Sequence, residues 1–348
     1  MSDSAGARQD AERLARYFSD DKRFDFLGLI AHGNYGSASR VQYRDTTTKM
    51  SIDFIVKRAF SSQMAEDAMR RERDYLRRFR GALHIVQMIE VENNPLNRQP
   101  SIAGQWITME WLSCGSLSNF IAKAKTKVNR LPNRLLWRFF LCLVRACIAM
   151  ANPPNRDDGI VEREVVRDVL PKTAVAHGDF HAANVVLGEP PSDSEHTITP
   201  ILKVIDFGNA SEWSWIDGMG TTANNNLWEV GKFMIGLITL SEREFIPRSG
   251  RGKVMMPNQG KVLTTDAVAI LPLDPPNAKF PLLDPDLGRL VCWCLATDIE
   301  DGPSLWDIDN RVGFFAGSKR PMDYPNRPEE TDDHISRLWR QIVYNADT

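Results

Sequence analysis

The sequence has few cysteines, no long uncharged apolar run and almost no net charge, and each shortage removes a class of protein. Its five cysteines, Cys114, Cys142, Cys147, Cys292 and Cys294, are odd in number and sit inside apolar runs. They read as buried thiols in a reducing compartment, not as a disulfide framework. Cys292 and Cys294 are one residue apart, which is not zinc-ligand spacing, and no second pair lies nearby. The most apolar long stretch, 135–151, is broken by Arg138 and Arg145. It therefore reads as a buried helix and not a membrane span. The first residues, MSDSAGARQDAERLARYF, have no signal-peptide apolar core. A net charge of −2 gives no reason to expect nucleic acid as a partner. Neither an internal repeat nor a low-complexity tract is present. The expected location is intracellular and cytoplasmic, with a nuclear site left open and no membrane partner.

What remains is an ordinary globular composition over 348 residues, long enough for one large domain or two medium-sized ones. Residues 9–18 predict a helix with few apolar positions, and hence a weakly docked one. Two stretches rich in strand formers follow, Phe26–Val41 and Ser51–Ala59. The turn-like RDTTTK at 44–49 separates them, and they read as an antiparallel pair with a glycine-rich bend. Residues 64–80 predict a charged helix, and 82–91 and 105–110 predict strands. From Ser116 the pattern turns helical, over 117–124 and 134–151. A loop (PPNRDD) and a charged, helix-compatible segment (160–170) come next, followed by a short strand, a polar loop and another strand across 175–187. Residues 189–200 read as a polar surface loop, 201–205 as a strand, and 228–240, 287–296 and 334–344 as helices. The Pro- and Gly-rich stretch 241–284 resists assignment.

The chemistry is concentrated in AVAHGDFHAANVVL, which begins at Ala174. Asp179 precedes Asn184 by five residues. Metal-assisted phosphoryl transfer needs a carboxylate to accept the proton of an attacking hydroxyl and an amide oxygen to hold magnesium. Asp206, in Asp206-Phe207-Gly208, ends an apolar strand, where it suits either a metal or a turn cap. Lys57 ends the strand Phe54–Lys57, and Glu72 lies fifteen residues on in a helix crowded with charge, as a partner for Lys57 or for a helix neighbour. Gly33 and Gly36, in AHGNYGSA, fit a plain hairpin bend or a backbone lying against phosphate.

In this order (glycine loop, Lys57, Glu72, Asp179, Asn184, Asp206-Phe207-Gly208) the chain resembles the eukaryotic-type protein kinase family from about residue 26 to 308. His84-Ile85-Val86, the hinge-like Met109-Glu110-Trp111-Leu112 with Gly115-Ser116-Leu117, Leu227–Gly231, and Cys294-Leu295-Ala296 with Asp298, Pro303 and Ser304 add to it. The resemblance implies an α+β, bilobal fold: an N-terminal arm over 1–24, a small antiparallel β lobe with one helix over 25–108, a hinge and larger helical lobe over 109–320, and a helical tail over 321–348. It implies an ATP- and Mg2+-dependent protein kinase acting on Ser or Thr of a protein substrate. Asp179 would be the base. Lys57, paired with Glu72, would contact the α- and β-phosphates, and Asn184 and Asp206 would bind magnesium. The backbone of Glu110 and Leu112 would meet adenine in a pocket lined by Ala38, Ile55, Met109 and Val186. Lys57→Ala would then remove activity and leave the fold intact, because the lysine would sit at the cleft.

The departures are specific. His177-Gly178-Asp179 lacks the arginine that receives an activation-loop phosphate, so phosphorylation at Ser211, Ser214, Thr221 or Thr222 is not expected to switch the protein on. His181 stands where a lysine is usual, and His-Gly-Asp-x-His is similar to aminoglycoside-phosphotransferase-like enzymes. An imidazole can still donate to a γ-phosphate, but it titrates near neutrality. The segment 206–228 is short and lacks Ala-Pro-Glu, and Gly302 stands where the arginine paired with that Glu would be. Both ends of a buried ion pair are thus absent together. Asn226 replaces the central-helix Asp, and Ile55 replaces a small residue above adenine. These features keep two further readings open, a small-molecule kinase and an ATP-binding pseudokinase interaction module. The divergence of the helical part is reminiscent of fungal kinase-like proteins.

Overall fold

The computed structural model describes residues 3–45, 48–90, 104–154, 156, 158–167, 173–214, 222–245, 251–256 and 260–344. The fold is mixed α+β. Strands β1 (Phe24–His32), β2 (Gly36–Arg44), β3 (Ser51–Ala59) and β4 (Trp106–Glu110) form one antiparallel sheet in that order. The stretch read as a single strand from Phe26 is two strands, because Gly33–Gly36 closes a turn with Gly33 N–H donating to Gly36 O at 2.9 Å. Part of the 44–49 turn, residues 46 and 47, lies outside the described residues.

The sheet is covered on both faces. Helix α1 (Asp3–Ser19) packs on the outer one. Its Leu14 and Phe18 are fully buried with Phe24, Val41, Phe54 and Val56. Asp10 of α1 pairs with the buried Arg58 at 2.5 Å and accepts from Ser37 Oγ at 2.9 Å. The weak docking expected of this helix is therefore overturned: two aromatic and aliphatic anchors and a buried ion pair outweigh its polar composition. Helix α2 (Gln63–Arg78) faces the other side. Ser62 caps it by accepting from Ala65 N–H, and it buries Ala65, Ala68, Met69, Glu72 and Leu76, one stripe at helical spacing.

The rest is mainly helical and shares one apolar core with the inner side of the sheet. Helix α4 (Asn133–Ala151) is its axis and is buried almost along its whole length. Its arginines are engaged: Arg145 pairs with Glu195 and Asp309 at 3.0 and 2.8 Å, Arg134 pairs with Asp332 at 2.6 Å, and Arg138 donates to Glu195 O. Around it lie α3 (Leu117–Lys127), α5 (Thr222–Thr239), α6 (Pro285–Cys294), α7 (Leu305–Ser318) and α8 (Asp332–Tyr344). Among the described residues, three two-stranded pieces complete the fold: β5 (Thr173–Ala176) with β8 (Ser211–Ser214), β6 (Val185–Gly188) with β7 (Ile201–Val204), and the hairpin β9 (Gly252–Met256) with β10 (Lys261–Thr265). The hairpin lies in the stretch that the sequence left unassigned. All five cysteines are free and buried. No helix among the described residues is long and apolar enough to cross a membrane.

Three segments differ from their sequence reading. Residues 82–90 form isolated bridges, not a strand. The Gln87 side chain donates to Ala82 O and Ile85 O and accepts from Gly81 N–H, which folds the segment on itself. Residue 91 lies outside the described residues. Residues 160–167 are not helical, because Glu162 exchanges backbone bonds with Gly81 and Leu83; residues 168–170 are not among those described. The loop 189–200 turns inward, with His196, Ile198 and Thr199 buried, so it is not the surface loop its polarity predicts.

Candidate active site

The β-sheet register sets out one side of the site. Lys57 lies opposite Ala38 and Ile107, and Ile55 lies opposite Arg40 and Met109. Ala38, Ile55, Lys57 and Met109 thus share the face turned away from α1. Lys57 Nζ lies 2.6 Å from Glu72 Oε2 and 2.8 Å from Asp206 Oδ1. A strand, a helix and a distant loop therefore meet on one ammonium. Burial alone would lower the Lys57 pKa, but the two carboxylates outweigh it and hold the lysine above its usual range. Burial raises Glu72, against the pull of Lys57. At Asp206 the attraction of Lys57 outweighs burial and the pKa falls.

Glu72 is only 1% exposed, which corrects one expectation. Lys57→Ala would strand a buried carboxylate, at a cost of about 3–5 kcal/mol. The substitution is not neutral for the fold.

Asp206 has φ 69° and ψ 70°, a left-handed conformation that a non-glycine residue adopts only when its surroundings enforce it. Those surroundings are Lys57 on its carboxylate and the fully buried Phe207 after it, packed 4.9 Å from Phe79 and 4.8 Å from His177 between ring centroids. Arg71 of α2 also donates to Gly208 O.

His177 ties this turn to the loop bearing Asp179. Its Nε2–H donates to Ile205 O at 2.9 Å, and its Nδ1 accepts from Asp179 N–H at 3.3 Å. Burial lowers its pKa to about 4, so the ring is neutral near pH 7. Asp179 and His181 are exposed enough to meet a solute, with Asp179 Oδ1 3.4 Å from His181 Nε2. Asn184 sits behind them and donates from Nδ2 to Asp179 O at 2.9 Å. That leaves its side-chain oxygen as the atom to offer a cation. The 3.3 Å contact of Nδ2 with His181 Nε2 holds the imidazole in the same group.

Two substitutions singled out in the sequence have a local cause. Gly178 has φ +77°, and a Cβ there would stand 2.2 Å from Asn209 O. No side chain fits, arginine included. Asn226 is buried and donates to Val175 O at 2.8 Å while accepting from His177 N–H at 3.4 Å. The donation to Val175 is one that an aspartate cannot make.

The two glycines of the loop differ. A Cβ on Gly36 would meet Arg58 O at 2.1 Å, whereas one on Gly33 would meet nothing within 4 Å. Gly36 is required by the β2–β3 pairing, and Gly33 stands open. They bond to each other and not to the ionic group. Glu110, Leu112 and Val186 lie where β4 runs into α3, with Val186 bridged to Ser116. Glu110 N–H is taken by Gln87 O, so its backbone has a carbonyl to offer. Asn225, Trp228, Thr297, Gly302 and Pro303 line a cavity of about 280 Å3. Residues 215–221, including Thr221, lie outside the described residues.

Two participants escaped the sequence reading. The Glu110 carboxylate pairs with Lys203 Nζ at 2.6 Å and accepts from Gln87 N–H at 2.8 Å, although Glu110 was noted only for its backbone. A lysine within the apolar strand 201–205 was the available signal, since a buried cation needs a carboxylate. Arg40 stacks over Trp111 at 4.5 Å, which clasps the connection after β4. No protein-family model matches this chain, and no curated protein matches it.

Proposed function

We propose that this protein is an ATP- and Mg2+-dependent phosphotransferase with a bilobal, protein-kinase-like fold, and that it transfers a phosphoryl group to Ser or Thr of a protein. The observation that carries the reading is the bridging of Glu72 and Asp206 by Lys57, beside a loop that presents Asp179 and Asn184. An ammonium held by two carboxylates is a fixed positive charge projecting from within β3, suited to phosphate oxygens. Asp179 is exposed and free to accept a hydroxyl proton. Asp206 and Asn184 offer a carboxylate and an amide oxygen, the hard donors that suit magnesium, which when bound would neutralise phosphate charge. His181, exposed beside Asp179, would donate to a transferring phosphoryl group. Ala38, Ile55, Met109 and Val186 supply an apolar bed for a purine, with the Glu110 carbonyl and Leu112 backbone as its polar edge. This complete ionic set speaks against a pseudokinase interaction module.

A second reading, a small-molecule kinase, is favoured by the same region. Gly178 is closed to arginine by Asn209, and a cavity replaces the ion pair that would brace a peptide-docking platform.

The test is transfer of radiolabelled phosphate from ATP with Mg2+ to generic proteins, run beside a panel of aminoglycosides and other small hydroxyl compounds. Asp179→Asn should lower transfer by about 10²–10⁴-fold. Transfer that persists undiminished in that variant would sink the mechanism. Labelling of small acceptors alone would select the second reading.

A further inference from the structure

His84, Cys142 and His196 come together in the core, far apart in sequence and each nearly or wholly buried. His84 lies in the turn after α2, Cys142 on α4, and His196 in the inward-folded loop between β6 and β7. Their donor atoms lie within 4.8 Å of one another. His84 Nε2 is 3.3 Å from His196 Nε2, which is 3.2 Å from Cys142 Sγ.

The other nitrogen of each ring is already committed. His84 Nδ1 lies 2.7 Å from Glu164 Oε2, and His196 Nδ1 lies 2.9 and 2.8 Å from the two oxygens of Asp193. Carboxylates accept, so both Nδ1 atoms carry a proton, and in the neutral rings both Nε2 atoms point a lone pair at the shared space. Two lone pairs facing each other at 3.3 Å repel unless something electron-poor lies between them. A tetrahedral zinc ion, at ~2.0–2.1 Å from nitrogen and ~2.3 Å from sulfur, holds two nitrogens ~3.3 Å apart and a nitrogen and a sulfur ~3.6 Å apart. The observed 3.3 Å between the nitrogens matches the first, the 3.2 Å from His196 Nε2 to Cys142 Sγ is shorter than the second, and all three donors lie within 4.8 Å. Imidazole and thiolate donors select zinc-class ions over magnesium or calcium. A carboxylate behind each ligating histidine is the usual outer support of such centres.

We propose that His84 Nε2, His196 Nε2 and Cys142 Sγ bind one zinc-class transition-metal ion as a structural staple. The ion accounts for both unusual segments of the chain. Glu164 draws the 160–167 stretch to His84, its carboxylate also accepting His84 N–H at 2.7 Å. Asp193 builds the turn that carries His196 inward by accepting Glu195 N–H and His196 N–H. His84 O accepts from Val204 N–H at 2.9 Å, two residues before Asp206. The staple thus holds the strand that delivers Asp206, whatever reaction that residue serves.

The full chain, expressed with zinc and purified without chelator, is assayed for metal by mass spectrometry. About one zinc per chain is expected. Cys142→Ser should lose it, and Cys292→Ser, at a buried thiol outside the cluster, should keep it. Wild-type protein stripped with a strong chelator and titrated with Co2+ should show a sulfur-to-cobalt charge-transfer band and visible d–d bands. This second readout decides the matter even if Cys142→Ser fails to fold. Wild-type protein that holds no metal and gives no thiolate–cobalt band overturns the proposal, as does a Cys142→Ser protein that retains its zinc.

Discussion

At Gly178 the backbone and one neighbouring carbonyl together set the residue. Left-handed backbone costs a non-glycine residue about 1–3 kcal/mol, and the Asn209 carbonyl adds a clash. Gly178→Ala should therefore lower unfolding stability by at least that amount, while Gly33→Ala, facing open space, should stay within about 0.5 kcal/mol of wild type. Urea titrations of the two variants check this, and equal effects would refute it. His177 makes a second prediction. Burial is the main cause of its low pKa; Asp206 and Asp179 pull it up and His181 pulls it down. Its folded value, about 4, lies below the 6.5 of an unfolded histidine, so between the two the unfolded chain holds a proton that the folded chain does not. Its contribution is complete above about pH 6.5 and is lost as pH falls towards 4. From pH 7 to pH 5 this amounts to about 2 kcal/mol. His177→Gln should reduce the acid sensitivity of unfolding by that much, and an unchanged slope would count against it.

At the scale of elements, much was legible because local chemistry and tertiary packing agreed. The helices at 63–78, 133–151 and 332–344 follow apolar stripes, and the strands flanking Asp179 follow apolar runs around a polar loop. The ionic residues of the site were legible too, since Glu72 sits on a helix face and Asp206 just after a strand that the patterns defined, although β3 runs on past Lys57 to Ala59 and does not end there. Long-range partners were not. The polarity of 189–200 gave no sign that Arg145 would draw it inward, because its bond to Glu195 joins residues 50 positions apart. Helix α1 was misjudged for a similar reason. Leu14, Tyr17 and Phe18 meet one aromatic cluster, and Asp10 finds a buried arginine that the sheet supplies.

For the whole molecule, the decisive feature is that a single apolar core runs from the inner side of the sheet through α4 to α8. Ile335, Trp339 and Ile342 of α8 are fully buried in it, and Tyr344 touches both Cys114 and Glu189 beside the connection from β4. Removal of residues 332–348 should therefore lower the midpoint of unfolding for the sheet as well as for the helical part. Hydrogen exchange of β3 and β4 measured alongside α4 tests this, and protection of the sheet that survives the truncation would refute it. The contact between Gly178 and Asn209 also bears on how the chain can change over time. A single base change converts a glycine codon to an arginine codon, yet Asn209 O occupies the space that the new side chain would need. Gaining arginine at 178 requires the 207–209 turn to move first. The route is closed to one-step mutation for as long as that turn keeps its place.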